Sequence, residues 1–160
     1  MPAAFPEISP PALPTAIVFE KRPRWAPELE RQFLGEEARV VACRAVKDVE
    51  ERSAGVAQGV VVLDASVATA DCLQYLRHAL SDPQALPVII VGNRQTESME
   101  WTFRELGAAA FFTKRIPGHE MAALCRRQWT DRERRRDVRS PLPALSHQHS
   151  SRLEQRSSEP

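Results

Sequence analysis

The sequence predicts an α/β fold: a five-stranded parallel sheet between two layers of helices. Two observations carry this. Short apolar runs alternate with helical stripes from Thr15 to about Trp129, and the links are too short for anything but successive β–α units. The runs also lack the polar alternation of a strand with one wet face, so the sheet is covered on both sides.

The elements follow in order. Thr15–Glu20 (TAIVFE) is the first strand, and Trp25, Leu29 and Phe33 mark one face of a helix ended by Gly35. Ala38–Ala42 is the second strand, followed by a poorly apolar helix over Val46–Ala54 that stops at Gly55. Gly59–Asp64 (GVVVLD) is the most strand-like run in the chain. Leu73, Leu76 and Leu80 stripe the third helix, which Ser81-Asp82-Pro83 breaks. Pro87–Val91 is the fourth strand, and Met99, Phe103 and Leu106 stripe a helix closed by Gly107. Ala109–Thr113 is the fifth strand, and Met121, Leu124, Cys125 and Trp129 mark the buried face of the last helix.

The ends differ from this body. Five of the 13 prolines lie within residues 1–14, so that arm is expected to be disordered. Residues 131–160 are expected to form a charged helix extension and then a disordered polar tail. The net charge of +1 is a cancellation. Arg126–Pro160 holds 9 Arg and 5 acids, net +4, and the rest is net −3. Acids interrupt the arginines, which favours a solvated helix end over a nucleic-acid contact. No apolar run approaches the roughly 20 residues of a membrane span. The start lacks the basic and apolar regions of a secretory signal, and the 3 scattered cysteines fit reduced thiols in a cytoplasm. His147 and His149 form an H-x-H pair without a third metal ligand, and His78 and His119 read as solvated.

In parallel sheets the working residues stand beyond the carboxyl ends of the strands. Here these are Glu20, Lys21, Asp64, Gly92, Asn93 and Lys114. With VVVLD ending at Asp64, Asp71 and Leu73 downstream, Leu86–Val91, Leu106-Gly107-Ala108 and Phe111-Phe112-Thr113-Lys114, residues 15–130 resemble the receiver domain of bacterial two-component response regulators. The resemblance implies a flavodoxin-like three-layer sandwich with strand order 2-1-3-4-5. It also implies that Asp64 is the phospho-acceptor, that Lys114 grips the phosphoryl oxygens, and that Phe111 is the switching aromatic. An acidic pair would hold Mg²⁺ together with that aspartate.

The departures bear on function. The acidic pair reads Glu20-Lys21, and a lysine ammonium has no lone pair for a metal. Lys21 is expected instead to pair with Asp64, a contact worth on the order of 1–4 kcal/mol before desolvation. Gly92 stands where the family has a hydroxyl, and Ala68 and Arg115 replace family prolines. The expectation is therefore a degenerate, non-enzymatic receiver, with Asp64, Lys114 and Lys21 as a static charge cluster and no cofactor. Mg²⁺ enters only if the altered site still binds it. A phospho-accepting single-domain regulator using Asp64 is one alternative, and a small-ligand-binding or enzymatic domain on the same scaffold is another.

A degenerate receiver would act through its surface on a protein partner: a sensor kinase, a regulator or a scaffold. Trp101 lies opposite Met99, Phe103 and Leu106 on the helical wheel, so it points outward as an interface candidate. Arg126 and Arg127 are expected to join that surface, which could also form a homodimer through the fourth helix, fifth strand and fifth helix. The basic loop Lys21-Arg22-Pro23-Arg24 is a weaker candidate for an anion. The residues after 130 are expected to be too few for an attached output domain.

Overall fold

The structure, a computed structural model, describes residues 12–35, 38–113 and 115–139. Five strands, β1 (Thr15–Phe19), β2 (Arg39–Cys43), β3 (Gly59–Asp64), β4 (Val88–Val91) and β5 (Ala110–Phe112), alternate with five helices. These are α1 (Trp25–Gln32), α2 (Val46–Ser53), α3 (Thr69–Ser81), α4 (Glu100–Glu105) and α5 (Gly118–Arg139). A 3₁₀ turn, Glu97–Met99, leads into α4. All pairings are parallel, and the order is β2-β1-β3-β4-β5. The expected architecture is the observed one.

Sequence composition explains which strands are central. β1, β3 and β4 are apolar at nearly every position and buried throughout, except for half-buried Asp64. β2, with Arg39 and Ala42 exposed, is an edge strand. Strand side chains alternate between faces, and the two faces build two cores. Ala16, Val18, Val60, Val62, Ile89 and Val91 pack with Trp25, Leu29 and Phe33 of the α1 segment and Met121, Cys125 and Trp129 of α5. Ile17, Phe19, Val61, Leu63, Ile90 and Phe111 pack with Val46 and Val49 of α2, Cys72, Tyr75 and Leu76 of α3, and Phe103 of α4. In the first core, the Phe33 and Trp129 rings meet at a centroid distance of 5.4 Å.

Most expected bounds hold within two residues. Gly35 and Gly107, placed as helix ends, sit past α1 and α4 at φ 81° and 90°, where a Cβ is disfavoured. The third helix is rotated from its expected stripe. Cys72, Tyr75 and Leu76 are buried, Leu73 is half-buried, and Leu80 is 60% exposed. Cys72, Tyr75, Leu76 and Ala79 form a competing i, i+3, i+4, i+7 set. The small Cys72 side chain allows a close approach to the sheet. The helix extension expected past residue 130 is continuous with α5, which runs unbroken to Arg139. The arm before residue 12 and the tail after residue 139, with His147 and His149, lie outside the described residues.

Candidate functional site at the strand ends

The carboxyl ends of the strands bring Glu20, Lys21, Asp64 and Gly92 to one edge of the sheet. The ladders continue just past the strands: Ala65 N–H donates to the Val91 carbonyl at 2.8 Å, and Gly92 N–H to the Phe112 carbonyl at 2.7 Å. These bonds fix where each functional side chain begins.

Asp64, half-buried, closes β3 opposite Val91 of β4. Its Oδ1 accepts from the Ser66 N–H at 3.0 Å and from the Ser66 hydroxyl. Oδ2 accepts no hydrogen bond from the described residues. Just below, the fully buried Cys72 thiol has its pKa pushed up to about 12, chiefly by burial, then by the charges of Asp64 and Asp71.

Glu20 has turned away from this centre. It is 1% exposed, and its carboxylate accepts from three backbone N–H groups at the start of α1. Oε2 takes Arg24 at 3.0 Å and Trp25 at 2.8 Å, and Oε1 takes Ala26 at 3.3 Å. The residue at the cap position of α1, Arg24, makes no side-chain capping bond. Glu20 supplies the missing acceptor from the preceding strand and places a negative charge at the positive end of the helix.

The expected ion pair between Lys21 and Asp64 is not formed. Lys21 is exposed, and its Nζ donates to the Arg44 carbonyl at 2.9 Å and lies 5.8 Å from the Phe19 ring centroid. Arg44 Nη1 donates in return to the Glu20 carbonyl at 2.9 Å. This reciprocal clasp ties the exits of β1 and β2. It offers Lys21 a carbonyl acceptor on its own side of the sheet, so the charge cluster with Asp64 is not assembled by Lys21. Lys114 lies outside the described residues.

Position 92 holds the arrangement least visible in the sequence. A Cβ on Gly92 would meet Thr96 Oγ1 at 2.1 Å and Phe111 Cζ at 3.4 Å. Thr96 is buried, accepts from Asn93 N–H at 2.8 Å and donates to the Asn93 carbonyl at 3.0 Å. The Asn93 side chain in turn accepts from Gln95 and Thr96 N–H. The β4 exit is thus a self-closed loop with a hydroxyl plugged into the space beside Gly92. Thr96 was not among the expected site residues. The signal that could have found it is Asn-x-x-Thr directly after a strand, a spacing suited to local side-chain–backbone bonds. Phe111 is buried and stacks on Phe103 at 5.4 Å and 25°.

Of the interface candidates, Trp101 is 71% exposed on α4, as expected, and Arg127 is exposed. Arg126 departs from the expectation. It is half-buried against α1, donating to the Gln32 carbonyl at 3.1 Å and lying 5.3 Å from the Phe33 ring centroid. Its long stem continues the apolar seam between α1 and α5. Arg24 likewise covers the Trp25 ring at 4.5 Å.

The donor set does not fit Mg²⁺. Among the described residues, Glu20 has both carboxylate oxygens engaged by amide donors, Lys21 has no lone pair, and Asp64 has Oδ1 engaged by Ser66. Among the described residues, no group of three His, Cys, Asp or Glu is placed to hold a metal ion, and no helix is long and apolar enough to cross a membrane.

No protein-family model matches the chain, and no curated protein matches it. Solved structures do. A signal receiver domain from Vibrio parahaemolyticus is similar with a TM-score of 0.70 at 13% identity, covering 81% of this chain and 100% of that one. A response regulator from Thermotoga maritima gives 0.63 at 10% identity, over 74% and 99% of the two chains. The chemotaxis response regulator CheY4 of Vibrio cholerae gives 0.55 at 7% identity, over 78% and 98%. Similarity at such identities speaks for the fold. With the strand order 2-1-3-4-5 and an aspartate closing the third strand, this chain has the receiver-domain fold of the response regulators.

Proposed function

We propose that the chain is a receiver-fold signalling module that acts by presenting a surface to a protein partner, without phosphoryl transfer at Asp64. The observation that carries this is the commitment of Glu20. Its carboxylate is buried and bound to three α1 amides, so freeing it for a metal would uncap the helix. The plugged Gly92–Thr96 loop and the inward Phe111 support the same reading, because the elements that would have to move are packed in place. On the surface side, Trp101 is a large apolar group left 71% exposed, the kind of side chain that anchors interfaces. The three buried, unpaired thiols fit a reducing compartment such as the cytoplasm.

Incubation with acetyl phosphate and Mg²⁺, followed by intact-mass measurement, tests the first half. The expected spectrum shows no adduct. A phosphate adduct on the wild type that Asp64→Asn abolishes would defeat the proposal. It would establish the second reading, a phospho-accepting regulator, which the half-buried Asp64 closing β3 favours. Capture of partners by wild type and Trp101→Ala tests the second half. Equal capture by both would remove Trp101 from the surface.

A further inference from the structure

Exposed arginines on the helices of this chain can find acids: Arg31 pairs with Glu28 on α1, and Arg104 with Glu100 on α4. At the exits of β1 and β2 five cations stand without one. Lys21, Arg22 and Arg24 lie in the β1–α1 loop, and Arg44 and Lys47 lie where β2 passes into α2. All five are exposed, and none is in an ion pair with a described residue.

Three of the five are held by neutral partners. Lys21 Nζ donates to the Arg44 carbonyl at 2.9 Å, Arg44 Nη1 donates to the Glu20 carbonyl at 2.9 Å, and the Arg24 guanidinium lies 4.5 Å from the Trp25 ring centroid. A carbonyl or an aromatic face fixes the direction of a cation and leaves its charge uncancelled. The clasp also draws Lys21 and Arg44 together against their mutual repulsion. Residues 20–24 and 44–48 contain two acids. Glu20 is 1% exposed with both oxygens on α1 amides, so it is withdrawn from the surface. Asp48 is exposed, so the two segments present five positive charges to solvent against one negative. A cavity of about 320 Å³ lies beside Lys21 and Lys47, and Glu50 and Asp71 in its wall mark where the patch ends toward α3.

Building on the reading of the chain as a module for protein partners, we propose that this patch binds a short acidic segment of such a partner, with its Asp and Glu carboxylates on Arg22, Arg24, Arg44 and Lys47. Guanidinium forks match carboxylate oxygens two at a time. Cations already fixed in direction lose less freedom when the segment arrives. The patch is short and bordered by acids, which suits a few carboxylates better than the unbroken charge of a nucleic-acid backbone.

The test is an amide NMR titration of the full chain with a decaglutamate peptide, with a neutral glycine–serine peptide and decathymidylate in parallel. Saturable shifts are expected at Arg22, Arg24, Arg44 and Lys47 with decaglutamate, none with the neutral peptide, and weaker binding with decathymidylate. Affinity for decaglutamate should fall roughly fivefold or more in Arg22→Glu and in Lys47→Glu, one from each segment. It should stay within about twofold in Arg77→Glu, which makes the same change of charge at an exposed position on α3. Neither the Arg22 nor the Lys47 side chain hydrogen-bonds a described residue, so both variants keep the clasp, and unchanged amide spectra away from the two segments confirm the fold. Absence of saturable shifts at these amides, an equal loss in Arg77→Glu, or tighter binding of decathymidylate would overturn the proposal. A phosphate adduct on Asp64 would defeat the wider reading and leave these shifts in place, whereas missing shifts without an adduct defeat the acidic segment alone.

Discussion

The Thr96 hydroxyl occupies the space in which a side chain on Gly92 would begin. A Cβ there would lie 2.1 Å from Thr96 Oγ1 and 3.3 Å from Thr96 Cβ, with Phe111 Cζ at 3.4 Å on the other side. Position 92 is therefore glycine for want of room. A side chain added at 92 can enter only if Thr96 leaves, and Thr96 is held by its own bonds to Asn93.

Gly92→Ser should for this reason destabilise the fold by about 1–3 kcal/mol, the usual range for overpacking. In a Thr96→Ala background the same substitution should cost about 1 kcal/mol less, because the nearest atom is gone. Urea unfolding of the four proteins in this cycle measures the coupling. Additive costs would mean that the two positions do not compete for space.

Glu20 gives a second prediction. Glu20→Ala leaves three amide donors at the start of α1 without their acceptor, in a position 1% exposed. The expected loss is about 2–3 kcal/mol, and Glu20→Gln, which keeps a carbonyl oxygen but no charge, should fall between. Urea midpoints rank the three proteins. An unchanged midpoint in Glu20→Ala would show that solvent caps α1 as well.

Much of the fold could be read from particular runs of residues. Gly59–Asp64 is an unbroken apolar run that ends in an acid, and it forms β3 with those bounds. Met121, Leu124, Cys125 and Trp129 all reach the core, because one wide stripe leaves α5 a single way to face. The α3 segment carries two adjacent apolar rails, and only packing against the sheet chooses between them. At the site, strand ends located Glu20, Lys21, Asp64 and Gly92. Where those side chains turn was set by neighbours distant in sequence: the open α1 amides for Glu20, and the Arg44 carbonyl for Lys21. One clue was present. No Ser, Thr, Asp or Asn precedes Trp25, so the α1 cap had to come from elsewhere.

Trp101 and Phe103 are two residues apart on α4 but differ in surroundings, at 71% and 0% exposed. Trp101→Ala should change stability by less than about 0.5 kcal/mol, whereas Phe103→Ala should cost about 3–5 kcal/mol. The other two tryptophans, Trp25 and Trp129, are 3% and 7% exposed. Acrylamide should therefore quench mainly the Trp101 fluorescence, and Trp101→Ala should remove most of the quenchable signal. Equal quenching of wild type and variant would place Trp101 in a contact and remove it as an exposed anchor.

The thiols make stability depend on alkaline pH. Burial first of all pushes Cys72 and Cys125 from 9.0 up to about 12. Above pH 9 the unfolded chain ionises these thiols while the folded chain keeps them protonated. The native state then binds more protons, so unfolding becomes easier as pH rises. The stabilisation is complete below about pH 9 and is lost progressively toward pH 12. From pH 8 to pH 10 the two thiols together should lower the unfolding free energy by about 2–3 kcal/mol. Urea unfolding at the two pH values reads the difference, and Cys125→Ala should remove about half of it. A thiol reagent at pH 8 should react no faster than the protein opens, since both sulfurs are 0% exposed. Rapid labelling of the folded chain would contradict the burial from which the pH dependence follows.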